Sequence, residues 1–350
     1  LIVDSCRRRF FTLSLHEARM RFPVLSQPLS RLAGACLCAV ALLQPAAAQT
    51  DAAPIKLLVG FPAGGGTDAI ARHLAHGLQQ ELGRNVLVEN KPGAGGQIAA
   101  QALKAARPDG NTLFVSNSHT VAMIPLTLLN PGFDPERDFA PVGLVAINPD
   151  LMAVSTALLG TKGSGLRVLA QWAKANPDKA NIGVPAPASA PDFAVGIVGR
   201  ALGTDFVSAP YRGDAPIVQD LVAGQIAAGI GSVAVMLPQA QAGKLRIVAV
   251  NGTRRLPQLP DVPTYAEQGI KGYEEVIFTA VYAPAGLPPA LLQRYNRAIS
   301  KVVKSAEFSD KMSALGVIPS SSTPAQLGAR LQATRATWSQ MVQNAGYQPR

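Results

Sequence analysis

Three consecutive glycines between an apolar run and an amphipathic one constrain this chain more than any other feature. Ile55-Lys56-Leu57-Leu58-Val59 reads as a short buried strand. Gly60 to Gly66 reads as a loop, and Thr67-Asp68 opens a helix. Behind it Ala71, Leu74, Ala75, Leu78 and Leu82 recur at helical spacing, and Gly83 supplies a C-terminal stop. A strand, a glycine loop and a helix N-terminus leave backbone N–H groups bare and aim a positive helix end at whatever lies above them. Carboxylates and phosphates both suit such a place. A chain that merely needs to turn tightly uses glycines in the same way.

The alternation continues. Val86-Leu87-Val88-Glu89 is a second strand, and Asn90-Lys91-Pro92-Gly93-Ala94-Gly95-Gly96 a second glycine loop before a helix from Gln97 to Ala106. Thr112 to Ser116 is a third strand, ending in the polar loop Asn117-Ser118-His119-Thr120. Strand–helix–strand order with short connections implies a parallel sheet, with ligands beyond the carboxyl ends of its strands. Pro125 to Pro141 is expected to be irregular, and Val142 to Ser155 to run as one long strand out of the first domain. A second alternating set follows between Leu166 and Val250. Val276 to Ala283 runs back, and Pro288–Lys304, Ala306–Leu315 and Pro324–Ala345 are helical, with Thr323-Pro324 as cap and first turn. The expected fold is therefore α/β with two parallel-rich sheets and a ligand cleft between two domains. The domains are 49–150 with 281–350, and 151–280.

The sequence starts with Leu1, and its first methionine is Met20. From Met20 onward it reads as a secretory signal: Arg21 and Arg31, the apolar run Leu32 to Leu43, and Ala46-Ala47-Ala48 before Gln49. Residues 1–19 are expected to be upstream translated sequence, and residues 1–48 to be absent from the exported protein. The apolar run is short for a membrane span, which needs roughly 20 apolar residues. Cys36 raises a lipoprotein anchor, but the position three residues before it is Ala33 where leucine is expected. Cys6, Cys36 and Cys38 all precede Gln49, so the exported chain holds no disulfide and no thiolate site. From residue 49 onward 26 basic residues face 20 acidic ones, scattered and without interleaved aromatics. That pattern disfavours nucleic acid and favours the arrival of small anions.

Several stretches resemble one family in order. Phe61-Pro62-Ala63-Gly64-Gly65-Gly66-Thr67-Asp68 with Ala71-Arg72 is similar to the first signature of the Bug receptors, the periplasmic substrate-binding proteins of tripartite tricarboxylate transporters. Val88 to Gly96 is similar to the second signature. Pro108 to Leu113, Asp134 to Val142, Pro210 to Gly213, Ala242 to Arg246 and Leu259 to Thr264 extend the match across roughly 54–350. The resemblance implies a closing two-domain periplasmic binding protein, a monomer without cofactor. It implies a small carboxylate-bearing solute as ligand and membrane transporter subunits as partners. It puts the first carboxylate on Pro62–Asp68, with Ser116, Asn117, Ser118, His119 and Thr120 beside it and Ser189 facing from the second domain. Asp192, Tyr211, Arg212 and Ser232 complete the expected site; Arg212 either offers a guanidinium to a second carboxylate or pairs with Asp214 or lies in solvent instead. Three departures stand out. Asp192 occupies a position where relatives carry histidine, Gly224-Gln225-Ile226-Ala227 replaces Gly-Gln-Val-Asp, and Ile124-Pro125 replaces Asn-Pro. An ionised Asp192 in the cleft would disfavour a diacid and favour a neutral or cationic far end. The competing role for Asp192 is to cap the following helix. A bulky residue at Gly65 is expected to abolish binding by obstruction and by disfavouring a positive φ.

An enzyme acting on a small carboxylate is the rival of another class, and a sensor of the same fold is a further alternative. Ser118-His119 is the candidate nucleophile and base, yet adjacent residues seldom point at one another and no Gly-x-Ser-x-Gly elbow occurs. His73 and His76 share a helix face without an evident carboxylate partner, so a metal site is not expected. Neither glycine loop completes a dinucleotide or Walker fingerprint.

Overall fold

The computed structural model describes residues 53–350 apart from Ser164. The leader, the cleavage point at Ala48 and the anchor position Cys36 lie outside the described residues.

In the first part of the chain β1 (Ile55–Val59), α1 (Gly66–Leu82), β2 (Val86–Asn90), α2 (Gln97–Lys104) and β3 (Thr112–Asn117) alternate as the hydrophobic pattern dictates. After α3 (Ile124–Thr127) come β4 (Phe139–Asn148), β5 (Asp150–Ser155), α4 (Thr156–Leu159), α5 (Leu166–Ala175) and β6 (Asn181–Val184). Then follow α6 (Ala190–Leu202), β7 (Val207–Pro210), α7 (Asp214–Ala223), β8 (Ala228–Ser232), α8 (Val233–Gln241) and β9 (Leu245–Val250). The chain closes with β10 (Ile277–Pro284), α9 (Pro289–Val303), α10 (Ala306–Ala314), β11 (Ile318–Pro319) and α11 (Pro324–Asn344).

Among the described residues the strands form a six-stranded sheet, β11-β4-β10-β3-β1-β2, and a five-stranded sheet, β7-β6-β8-β5-β9. β1 lies between β2 and β3, parallel to both, which explains why four of its five residues are buried. The sheets are mixed rather than parallel-rich. β10 inserts antiparallel between β3 and β4, and β5 runs antiparallel between β8 and β9. The expected single strand from Val142 to Ser155 is two strands in different sheets. Pro149 separates them, and without an N–H it cannot continue a ladder. The polar stretch after β3 is also not a loop: His119–Met123 forms one π-helical turn that runs into α3.

Helix α1 buries Ile70, Ala71, Leu74, Ala75, Leu78 and Leu82 against the first sheet and ends at Gly83, whose φ of 62° is the left-handed cap conformation. Each leucine so buried contributes about 1.5–3 kcal/mol. The two glycine loops touch backbone to backbone. A β-carbon on Gly60 would lie 2.5 Å from Gly96 Cα, and one on Gly96 2.4 Å from Thr120 Oγ1. The second loop therefore serves packing, seating the first loop against the π-helical turn. Helix α11 opens with a full capping box between Thr323 and Gln326. It packs Leu327, Leu331, Trp338, Met341 and Val342 into a core that also contains Ile182, Ala194 and Val198 of the second sheet and its α6. This last helix thereby ties the two sheets together.

Candidate functional site

Phe61 to Thr67 line a cavity of about 290 Å³ at the carboxyl edge of β1. Across it lie Pro185, Ala186, Ser189, Arg212, Asp214 and Ser232, carried by segments at the ends of β6, β7 and β8. The first bond of α1 runs from the Ala69 N–H to the Gly65 carbonyl (2.9 Å), so Gly66, Thr67 and Asp68 carry the first-turn N–H groups that no helical carbonyl satisfies. Gly66 faces the opposite wall, where a β-carbon would stand 3.9 Å from Ser232 Oγ. Donors and a positive helix end therefore meet a space bounded by the second sheet.

Asp68 does not face that space. Its buried carboxylate holds the loop from behind, accepting hydrogen bonds from the Gly64 N–H, Arg72 Nε and Asn90 Nδ2, each at 2.8 Å. Asn90 Nδ2 also donates to the Phe61 carbonyl at 3.0 Å. Burial alone would raise the Asp68 carboxyl, but these hydrogen bonds and the Arg72 charge outweigh it and hold its pKa below the ordinary value. Asp68→Asn should therefore cost about 2 kcal/mol near neutral pH, the scale of hydrogen bonds to a charged group. Because the folded pKa is depressed, the wild-type advantage is full above the unfolded value of about 3.9 and disappears as pH falls through the folded one. Denaturant unfolding of both proteins at pH 7 and pH 3 checks this; an undiminished gap at pH 3 would contradict it.

The other expected residues divide between those that line the cavity and those that brace it. Asn117, His119, Ser189, Arg212 and Ser232 line it. Ser116 donates to the Asn117 carbonyl at 3.1 Å, Ser118 accepts from the Phe278 N–H at 3.2 Å, and Thr120 donates to the Gly95 carbonyl at 2.7 Å. Tyr211 turns away to donate to Asp220 at 2.7 Å. Asp192 also stands outside the lining. Its carboxylate accepts the Ala188 N–H at 2.7 Å and the Ser208 hydroxyl, while Ser189 caps α6 by accepting the Asp192 N–H at 3.3 Å. The cleft-facing role expected of Asp192 is thus corrected to bracing the turn at Ala188, whose φ is 51°. The backbone conformation expected of Gly65, though not its place in the lining, is corrected too. Its φ is −78°, and a β-carbon there would meet only the Pro62 carbonyl at 3.4 Å, whereas Gly64 holds the positive φ of 83°. Among the described residues no hydrogen bond joins Ser118 to His119. Burial lowers the His119 imidazole to about 4, leaving it neutral at pH 7.

Comparison with known proteins fits this geometry. The family described as tripartite tricarboxylate transporter family receptor matches residues 70–347. The chain belongs to this family. It is similar to protein BugT of Bordetella pertussis, 31% identical over 315 residues that cover 89% of this chain and 96% of BugT. Its fold is similar to that of the periplasmic binding protein BugD, with a TM-score of 0.77 at 30% identity over 85% of this chain and 99% of BugD. It is equally similar to an R. palustris protein solved with adipate, with a TM-score of 0.79 at 29% identity over 85% of this chain and 98% of that one. The receptor is thus a solute-binding protein of the two-domain periplasmic binding protein fold.

Five lining residues with polar side-chain atoms were not evident from sequence: Asn148, Asp150, Asp214, Thr279 and Trp338. Thr279 donates to Asn148 at 3.0 Å across β10 and β4. Asp150 opens β5, directly after the strand-breaking Pro149, and is 5% exposed. Tyr273 donates to its Oδ2 at 3.2 Å, and Asn251 accepts its backbone N–H at 2.8 Å. Burial, reinforced by the nearby Asp214 charge and opposed by the Tyr273 hydroxyl, pushes the Asp150 carboxyl up to about 7. Asp214 is likewise raised by burial, against hydrogen bonds from Ser232. A proline-aspartate pair at the sheet-to-sheet crossing was a readable signal for Asp150. Trp338 offered none, since only the fold brings α11 to the cavity.

Proposed function

We propose that this receptor works in the periplasm, where it captures a small carboxylate-bearing solute in the cavity between the two sheets and presents it to membrane transporter subunits. The observation that carries this reading is the glycine loop. It delivers the unsatisfied first-turn N–H groups of α1 to a cavity whose far wall belongs to the other sheet. A relative of similar fold was solved with adipate, a molecule with a carboxylate at each end. In this reading the receptor is a monomer exported by cleavage before Gln49. Residues 49–150 with 281–350 form one domain and 151–280 the other, and the crossings at Pro149 and between Val250 and Ile277 act as the hinge.

A thermal-shift screen of the exported protein against mono-, di- and tricarboxylates and amino acids tests it. Binding restricted to the folded state adds about 2.7 kcal/mol at 100 times the dissociation constant, a readily measured rise in Tm. At least one carboxylate should raise Tm and be recovered unchanged. A protein stabilised by none of them, or one that converts its ligand, would overturn the proposal.

A further inference from the structure

Two carboxylates, Asp150 and Asp214, line the same cavity as the N-terminus of α1. Asp150, on β5, is the cross-strand partner of Ser232 at the end of β8. The Ser232 hydroxyl in turn donates to Asp214 Oδ2 at 2.6 Å. Asp150, Ser232 and Asp214 therefore form a row along the wall opposite the α1 N-terminus, with Gly66 just across from Ser232. Asp150 is more than nine-tenths buried, and its Oδ1 accepts no hydrogen bond among the described residues. No lysine or arginine among the described residues forms an ion pair with either carboxylate. The groups packed around Asp150 are the phenols of Tyr265 and Tyr273 and the Asp214 carboxylate. The remaining titratable groups lining the cavity are neutral His119 and Arg212, which is exposed. Among the cavity's donors a second group is unmatched: wholly buried Trp338 lines the cavity, and its indole N–H has no partner among the described residues.

A cavity with unpaired donors in its lining and, on the wall facing the α1 N-terminus, carboxylates without ion-pair partners among the described residues is matched by a ligand that carries both polarities. We propose that the solute carries a protonated nitrogen besides its carboxylate, and that Asp150 and Asp214 receive that nitrogen. This rests on the carboxylate reading of the α1 N-terminus and narrows it. An ammonium supplies the donor that Asp150 Oδ1 lacks and the positive charge that neither carboxylate is paired with, and so neutralises two like charges. The far carboxylate of a diacid would add a third like charge, unless a proton were taken up with it.

The pH dependence separates these two ligand types without any substitution. An ammonium binds the ionised pair, so its affinity should rise as pH goes from 6 to 8 and Asp150 loses its proton. A diacid needs a protonated Asp150, so its affinity should fall over the same range. The experiment is calorimetric titration of the exported protein at pH 6, 7 and 8. The titrants are the common α-amino acids and the straight-chain ω-amino acids of two to six carbons, against unsubstituted mono- and diacids of the same chain lengths. The expected result is an aminated acid as the tightest binder, with affinity growing over that range. Asp214→Asn should weaken it at least 10-fold while leaving or strengthening diacid binding. A diacid or plain monoacid as tightest binder overturns this inference and leaves the carboxylate site intact, as does affinity that falls with pH. Binding by no carboxylate of either kind overturns the carboxylate site itself. If Asp214→Asn fails to fold, the wild-type ligand ranking and its pH trend still decide.

Discussion

Replacing Asp150 with asparagine should make the unliganded protein more stable at pH 8 than at pH 5, relative to wild type, by about 2.7 kcal/mol. The folded carboxyl titrates at about 7 because burial and the Asp214 charge oppose its ionisation, whereas an unfolded aspartate titrates near 3.9. Between those values the folded chain binds a proton that the unfolded chain has released, so wild-type stability declines as pH rises from about 4 to about 7. From pH 5 to about 7 that decline spans roughly two pH units, and at 1.36 kcal/mol each they give the size of the effect. Asparagine removes the titration and keeps an oxygen able to accept from Tyr273. Any packing cost of the new amide is the same at both pH values and cancels in the difference. Urea unfolding of both proteins at pH 5 and pH 8 measures it, and a difference that does not change with pH would contradict the account. The cost fits a site built for binding, where poorly solvated like charges await a partner.

Gly66→Val should reduce ligand affinity at least about 100-fold, which corresponds to roughly 2.7 kcal/mol, while changing stability by no more than about 0.5 kcal/mol, as for a surface position. A β-carbon at Gly66 would stand at ordinary contact distance from Ser232 Oγ. The γ-methyl groups of valine then fill the narrow space between the first-turn N–H groups and the second sheet. Gly66 is not among the glycines held at positive φ, so the substitution carries no backbone strain. Gly66→Ala should fall between the two. Calorimetric titration with the best ligand from the thermal screen, together with unfolding curves, separates obstruction from misfolding. Unchanged affinity in a folded Gly66→Val protein would contradict the role given to the loop.

These two residues mark what the sequence did and did not make legible. The glycine loop was readable because local rules write it: a buried strand, an unbroken glycine run and a 3.6-residue apolar repeat all agree within thirty positions. The capping box at Thr323 was readable for the same reason. The mixed pairing was not, because β10 reaches its place between β3 and β4 from more than 120 residues away in sequence. Nothing local distinguishes a returning strand from a parallel one. The break at Pro149 was hidden by apolar runs on both sides of it, although the proline itself was the clue. Asp192 misled for a different reason. It sits beside a true lining residue, Ser189, but a turn that forces Ala188 to a positive φ consumes its carboxylate. The acidic wall was formed instead by Asp150 and Asp214, which lie far apart in the chain and meet only through Ser232.

The central claim is that the N-terminus of α1 holds a carboxylate of the solute. A crystal structure of the receptor with the tightest-binding acid from the screen tests it most directly. The account predicts a ligand carboxylate oxygen within about 3 Å of the N–H groups of Gly66 or Thr67, directly or through one water, a hydrogen-bond length. A ligand bound in this cavity with its carboxylate turned away from Phe61–Thr67, or bound elsewhere on the molecule, would contradict it.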